Sequence, residues 1–443
     1  MNQDVRSSPS PERATSPAPL RPGDRVALVA PGSVAYVRLA LELTRRAVAP
    51  VPLDPRLTPR ERERILADVD PALVVHDEQG VRALLEAVDD GTASREMPGA
   101  HPRVRPMHMT SGTTGTPKGV WSGVLADEPA AALAEEEQEL WGFSASDVHL
   151  VLSPLYHSAP LRFASATLLA GGRAVVPGPF DPAAVTAAIV EHRPTTMFCV
   201  PAHLQRLFSH WEEHGVPDLT SFRLVAHAGA ACPPPVKQRL IELFPPGSTW
   251  EFYGSTEGQF TACRSEEWLE RPGTVGRARP GRTLHVDEDA TIWCTVPEHA
   301  RFTYWRAPEK TARAWRETAA GPAFTVGDLG RLDEDGYLFL EGRREDLVIT
   351  GGVNVYPVEV EHVLAEHPGV RDVAVFGVDD ERWGQRVCAA VVGDAAEEEL
   401  RALAVEQLSP PKRPKDYHRL DELPHTPTGK VKRLDLPGLL GLD

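Results

Sequence analysis

Met109-Thr-Ser-Gly-Thr-Thr-Gly-Thr-Pro-Lys-Gly119 crowds three glycines and five hydroxyl residues into eleven positions, after an irregular, basic approach, His101-Pro-Arg-Val-Arg-Pro106. Glycines let backbone N–H groups turn toward an oxyanion and hydroxyls add donors, which is how a phosphate-cradling loop is built. A Walker loop follows Gly-Lys with Ser or Thr, whereas here Lys118 stands between Pro117 and Gly119. A flexible linker is the rival reading, yet a linker has no need of a Pro-Lys pair locked after Thr-Gly-Thr.

Outward from this loop, short apolar runs alternate with helical patterns. Residues 25–30 read as a buried strand, 34–47 as a helix apolar on one face, and 48–53 as a strand that Pro50 and Pro52 confine to an edge. The alternation returns as strand 147–153, helix 161–170, strand 173–176, helix 182–191 and strand 196–200. Such alternation predicts parallel sheets covered on both faces, an α/β body. Near residue 321 the pattern turns β-rich: Phe324-Thr-Val-Gly-Asp328 and Gly336-Tyr-Leu-Phe-Leu340, with the turn Asp333-Glu-Asp-Gly336 between them, read as a domain-ending hairpin. The charged stretch Gly342-Arg-Arg-Glu-Asp346 follows, then helix 357–366, strands 370–378 and 386–392, and helix 397–408, a small α+β unit of its own. A boundary is predicted at residues 343–346, and there is no internal repeat.

A chain of 443 residues exceeds one ordinary core and implies about two or three structural units. Its net charge of −16 disfavours a nucleic-acid partner, so any phosphate must be met by a local site. Cys199, Cys232, Cys263, Cys294 and Cys388 are odd in number and widely spaced, which fits neither a zinc site nor a disulfide framework and suggests reduced thiols in a cytoplasmic protein. Residues 1–20 form a polar, Pro/Ser-rich tail without a signal-peptide core, expected to be disordered, and no apolar run reaches the ~18 residues of a membrane span.

Further motifs accompany the loop in order: Trp250-Glu-Phe-Tyr-Gly-Ser-Thr-Glu-Gly258, Thr325-Val-Gly-Asp-Leu-Gly330, Gly342-Arg-Arg-Glu-Asp346, Gly351-Gly-Val-Asn-Val-Tyr-Pro357 and Pro424-His-Thr-Pro-Thr-Gly-Lys430. Together they resemble the adenylate-forming (ANL) superfamily of acyl-CoA synthetases, peptide-synthetase adenylation domains and luciferases, over nearly all of residues 21–436. The resemblance implies an adenylate-forming domain of layered α/β sheets plus a β-subdomain over 21–343, a hinge at 344–346 centred on Glu345, and a mobile lid over 347–443. Family members carry a longer stretch before Gly23, and the hinge is more often Asp or Lys than Glu.

The same resemblance assigns roles. ATP is expected on Thr110, Ser111, Gly112, Thr113, Thr114, Gly115, Thr116 and Lys118 of the loop, and on Gly229, Ala230, Tyr253, Gly254 and Ser255. Tyr253 should face adenine, Thr256 the α-phosphate, Glu257 a Mg²⁺ ion, Asp328 the ribose hydroxyls, and Arg343 the ribose or phosphate. Lys430 should stand between carboxylate and α-phosphate, where at ~4 Å and an effective dielectric of about 20 one charge pair is worth about 4 kcal/mol. His157, Val200, His203, His227 and Gly229 should line the acid pocket, with His157 gating it, and Gly351 and Gly352 the thiol tunnel. Residue by residue the bland alternatives are a core Tyr253, a solvent-facing Glu257, a turn-closing Asp328 and a surface Lys430.

The activity implied is ATP-dependent activation of a small organic acid as acyl-AMP, then transfer to coenzyme A. Loading of a carrier protein, adenylation of nitrite for transfer to an aromatic amine, and a non-catalytic binding role are the alternatives. Amino-acid-activating relatives place an Asp where this chain has Leu155-Tyr-His-Ser158, so an α-amino acid is not expected.

Overall fold

The computed structural model describes residues 19–442 apart from 111–116, 344–345, 351–352, 381–382 and 426–430, and of Arg343 and Asn354 the backbone only. Strands Val148–Val151, Thr196–Cys199 and Leu224–His227 are buried at every position, as strands covered on both faces must be. With Arg173–Val175 and Thr249–Glu251 they run parallel, and the antiparallel strands Thr261–Arg264 and Arg277–Ala278 complete a seven-stranded sheet. Helices Ser158–Leu169, Pro182–His192, Pro201–His214 and Pro234–Leu243 make the crossovers.

A second, three-stranded parallel sheet is ordered Ala49–Pro52, Arg25–Leu28, Leu73–Val75, with the proline-bearing strand at an edge as predicted. Its helix Val34–Arg45 begins where the Ser33 side chain accepts from Tyr36 N–H, and it packs Leu39 and Leu43 into one core with Leu155 and Leu161 of the larger unit. Helix Pro59–Val69 opens with proline in its first turn and a reciprocal Thr58–Glu61 capping box.

The predicted hairpin exists with different arms. Asp328–Leu332 pairs antiparallel with Leu338–Arg343, whereas Phe324 ends Gly321–Phe324 in a separate four-stranded sheet. Gly327 at φ +82° reverses the chain between them, a conformation only glycine adopts cheaply. Beyond it, Val370–Asp380 and Gly384–Gly393 form a long antiparallel pair, extended by Val348–Thr350 and Val353–Val355 on one side of the sheet and joined by Asp416–Arg419 in parallel. Helices Pro357–Leu364 and Glu397–Gln407 bury Val360, Leu364, Leu400 and Ala404 in one core against that sheet. The five cysteines are free thiols, and no helix among the described residues is long and apolar enough to cross a membrane.

Candidate active site

In parallel sheets the chain leaves each strand at its carboxyl end, and ligands gather there. Here those exits carry Ser153 to His157 after Val151, Val200 and His203 after Cys199, Ala228 and Gly229 after His227, and Phe252 to Glu257 after Glu251. All of these exits contribute walls to one cavity of about 580 Å³. Its apolar faces come from Phe143, Phe198, Val200, Phe252 and Phe324.

The loop Gly254–Gln259 closes on itself: Gly254 and Gln259 form a β-bridge, and Ser255 N–H donates to the Gly258 carbonyl at 2.9 Å. A Cβ on Gly254 would lie 2.9 Å from Gln259 Cα and 3.0 Å from the Gly258 oxygen, so this turn requires glycine. The loop presents Ser255, Thr256 and Glu257 to the cavity. Beside it, the buried Tyr253 hydroxyl donates to Asp328 Oδ2 at 2.6 Å, and strand register sets Asp328 opposite Arg343.

Glu257 is buried, and its Oε1 accepts the Tyr304 hydroxyl at 2.7 Å. Tyr304 pairs with Val120 on Lys118–Trp121, which in turn pairs Lys118 with Thr110 on Met109–Thr110. Lys310 Nζ sits 3.9 Å from the Tyr304 ring centroid and donates to Thr110 Oγ1 at 3.4 Å. Two hydrogen bonds and one cation–π contact thereby link the mouth of the phosphate-type loop, a cation and the Glu257 carboxylate.

A family model described as AMP-binding enzyme matches residues 18–296, and one described as AMP-binding enzyme C-terminal domain matches residues 359–430. The chain belongs to the AMP-binding enzyme family. A feruloyl-CoA synthase from Amycolatopsis sp is 32% identical over 454 residues, covering 94% of this chain and 88% of the relative. A fatty acid–[acyl-carrier-protein] ligase, ScoC, from Streptomyces coeruleorubidus is 30% identical over 478 residues, covering 96% and 88%. The crystal structure of ATP-bound MatB from Rhodopseudomonas palustris superposes with a TM-score of 0.79 at 30% identity, over 95% of this chain and 89% of that one.

In this AMP-binding enzyme His157, Val200, His203 and Gly229, the residues expected at an acid pocket, line the cavity. One expectation needs correction. His227 lies on a fully buried strand and turns away from the cavity, its Nε2 2.8 Å from Lys237 Nζ, which itself pairs with Glu251 at 3.4 Å. Period-two alternation sends Ala228 to the cavity and His227 behind it. Ala230 follows Gly229 without reaching the wall. Lys118 Nζ lies 3.0 Å from Asp68 Oδ1, on helix Pro59–Val69. Ser111, Gly112, Thr113, Thr114, Gly115, Thr116, Glu345, Gly351, Gly352 and Lys430 lie outside the described residues, as does the Arg343 side chain.

His157 occupies the N-cap position of helix Ser158–Leu169, and its Nε2 is buried with no hydrogen-bond partner among the described residues. Burial pushes its pKa down to about 4, so the ring is neutral near pH 7. His203, stacked 4.1 Å from Phe180, is likewise pushed down to about 4 by burial. Sequence reading missed His108, which also lines the cavity, donates from Nδ1 to the Tyr156 carbonyl at 3.1 Å and is lowered to about 4 by burial. It missed Tyr304 and Lys310 too, because only tertiary pairing brings them to Glu257 and Thr110. Arg105 stood inside the basic approach noted above, and nothing in its local pattern marks it as facing a cavity.

Proposed function

We propose that this chain is an ATP-dependent, AMP-forming acid–thiol ligase: it couples the carboxylate of a small organic acid to the α-phosphate of ATP, releases pyrophosphate, and passes the acyl group to the thiol of coenzyme A. The observation that carries this reading is the junction of two sites, a buried Tyr253–Asp328 pair suited to adenosine and an apolar cavity, at the single loop Gly254–Gln259. Tyr253 offers a ring face and Asp328 a two-oxygen acceptor, the chemistry adenine and a ribose diol require. Thr256, half-buried on that loop, supplies a hydroxyl donor where the two sites meet.

Glu257 is a hard oxygen donor that is buried and already fixed through Tyr304, which fits Mg²⁺. When bound there, Mg²⁺ supplies neutralisation of phosphate charge. Neutral His157 closes the cavity at a helix start without adding charge beside an incoming carboxylate. Lys430 serves as the cation that lets two anions approach, carried on the C-terminal unit after residue 346. The similarity to a feruloyl-CoA synthase and the phenylalanine walls favour an aryl or medium aliphatic acid. Two acids of the wall have partners: Glu137 accepts from Arg279 at 2.7 Å, and Glu257 from Tyr304; Glu135, on the same wall, is exposed.

ATP–pyrophosphate exchange across aryl, short-chain and medium-chain acids, with nitrite included, tests the reading. Exchange with a carboxylic acid, dependent on Mg²⁺, is expected. A folded, ATP-binding protein that exchanges with no carboxylic acid overturns it. The similarity to a carrier-protein ligase supports a second acceptor reading, separated from the first by comparing coenzyme A with a phosphopantetheinyl carrier as the thiol.

A further inference from the structure

The cavity wall carries four arginines and three acids, Glu135, Glu137 and Glu257. Arg105, Arg162, Arg279 and Arg282 all line it. Helix Asp127–Trp141 answers them with Glu136 and Glu137, which are already shared: Glu137 Oε1 accepts from Arg279 Nη1 at 2.7 Å and from Arg162 Nη1 at 3.3 Å. Glu136 accepts from Arg282 Nη2 at 2.7 Å and lies 2.6 Å from His299 Nε2. Among the described residues Arg105 has no such acid partner. Its Nη1 donates to the Glu257 backbone carbonyl at 3.2 Å, and its Nη2 is buried without a hydrogen bond among the described residues. Arg162 Nε is in the same condition, and its guanidinium stands 5.4 Å from the Phe252 ring centroid, over an aromatic wall of the same cavity.

A guanidinium cannot shed its charge as a carboxyl does, and buried charges in proteins are paired. An interior cation without an acid is stable only if something else supplies the counter-charge. Burial holds Arg105 at about 10, below the ordinary arginine range, with Arg282 and Arg162 adding repulsion and Glu257 opposing it. The Glu257 side chain already accepts from Tyr304 and is the carboxylate read above as the Mg²⁺ ligand.

Resting on the acid-activation reading above, we propose that the acid taken by this cavity carries a second carboxylate, on an aryl or short aliphatic frame, and that this carboxylate docks on Arg105 with Arg162 beside it. The planar fork of a guanidinium matches a carboxylate in two parallel hydrogen bonds, so Arg105 Nη2 finds its missing acceptor in the ligand. The phenylalanine walls take the frame between the two carboxylates, and the one left at the loop Gly254–Gln259 is the one activated. The pocket therefore selects by charge at one end and shape in the middle.

Matched pairs of acids test this: benzoate against the benzene dicarboxylates, and butanoate against butanedioate, each read as kcat/KM in ATP–pyrophosphate exchange. In the wild type the dicarboxylic member of at least one pair is expected to lead by about tenfold or more, and Arg105→Met to lower the ratio of diacid to monoacid by about 30-fold or more, as removal of one partner of a buried charge pair does. Arg105→Lys, which keeps the charge and loses the fork, should fall between the two and covers the case in which Arg105→Met does not fold. If monoacids equal or exceed their diacid partners in the wild type, or if both Arg105 variants leave the ratio unmoved, the second-carboxylate site is overturned while acid activation stands. If no acid of either kind supports exchange although the folded protein binds ATP, the activation reading fails, and the proposal with it.

Discussion

At the scale of single residues, the Tyr253–Asp328 hydrogen bond is the most exposed claim of the nucleotide site. At 2.6 Å between buried partners it holds the carboxylate in one orientation, and hydrogen bonds to charged groups are worth about 1.5–3 kcal/mol. Tyr253→Phe keeps the ring face and removes one donor to Asp328. It is expected to raise KM for ATP by about tenfold, the factor equivalent to ~1.4 kcal/mol, with a smaller effect on kcat. A loss confined to kcat contradicts the nucleotide role. Lys430→Ala is expected to slow adenylation by ~10²-fold or more, by analogy with loss of a preorganised donor, and to affect thiolysis of supplied acyl adenylate far less. Equal losses in both half-reactions contradict a lysine that serves adenylation alone. Tyr253 and Asp328 each stand in a contiguous motif visible in sequence, whereas their meeting across 75 positions is visible only in the fold. His227 was misread because the same contiguity says nothing about which side of a strand faces the ligand.

At the scale of elements, helix Asp127–Trp141 shows what local pattern withholds. Nothing local to its Glu135-Glu-Glu137 run marks Glu137 as the partner of Arg162 and Arg279, which come from elsewhere in the chain. The alternating strands and helices could be read because burial on both faces leaves continuous apolar runs, and because Ser33, Asp181 and the prolines that open helices mark their ends. The hairpin arms were misplaced by a few residues, since Thr325-Val-Gly-Asp328 is equally β-prone on either side of Gly327. Pairing across the fold, which decides the cavity, has no local signature. Glu137→Gln removes a counter-charge shared by the buried Arg279 and the half-buried Arg162, so a loss of about 1.5–3 kcal/mol in urea unfolding is expected. A loss under about 1 kcal/mol, the scale of a surface ion pair, contradicts the shared-acid role.

At the scale of the whole molecule, buried imidazoles tie the stability of the chain to pH. His108 and His149 are buried, and desolvation lowers them to about 4 and about 3 from the ordinary 6.5. Below pH 6.5 the unfolded chain binds protons that the folded chain refuses, so the contribution is full above 6.5 and is lost as pH falls toward those values. Each such group changes stability by up to ~1.4 kcal/mol per pH unit, so the two together give a slope of up to ~3 kcal/mol per unit between about 4 and 6.5. The net charge of −16 acts in the opposite sense, because protonating carboxylates relieves self-repulsion. Salt separates the two, since a Debye length of about 8 Å at 0.15 M screens surface charges far more than interior ones. In urea melts at that ionic strength, unfolding at pH 5 should take up close to two protons through these side chains. His149→Gln, which keeps a polar group near Thr196 where the ring nitrogen now sits 2.9 Å from its hydroxyl, should reduce the slope by about one proton. An unchanged slope in that variant would show that His149 is not held neutral by the fold and that acid sensitivity arises elsewhere in the chain.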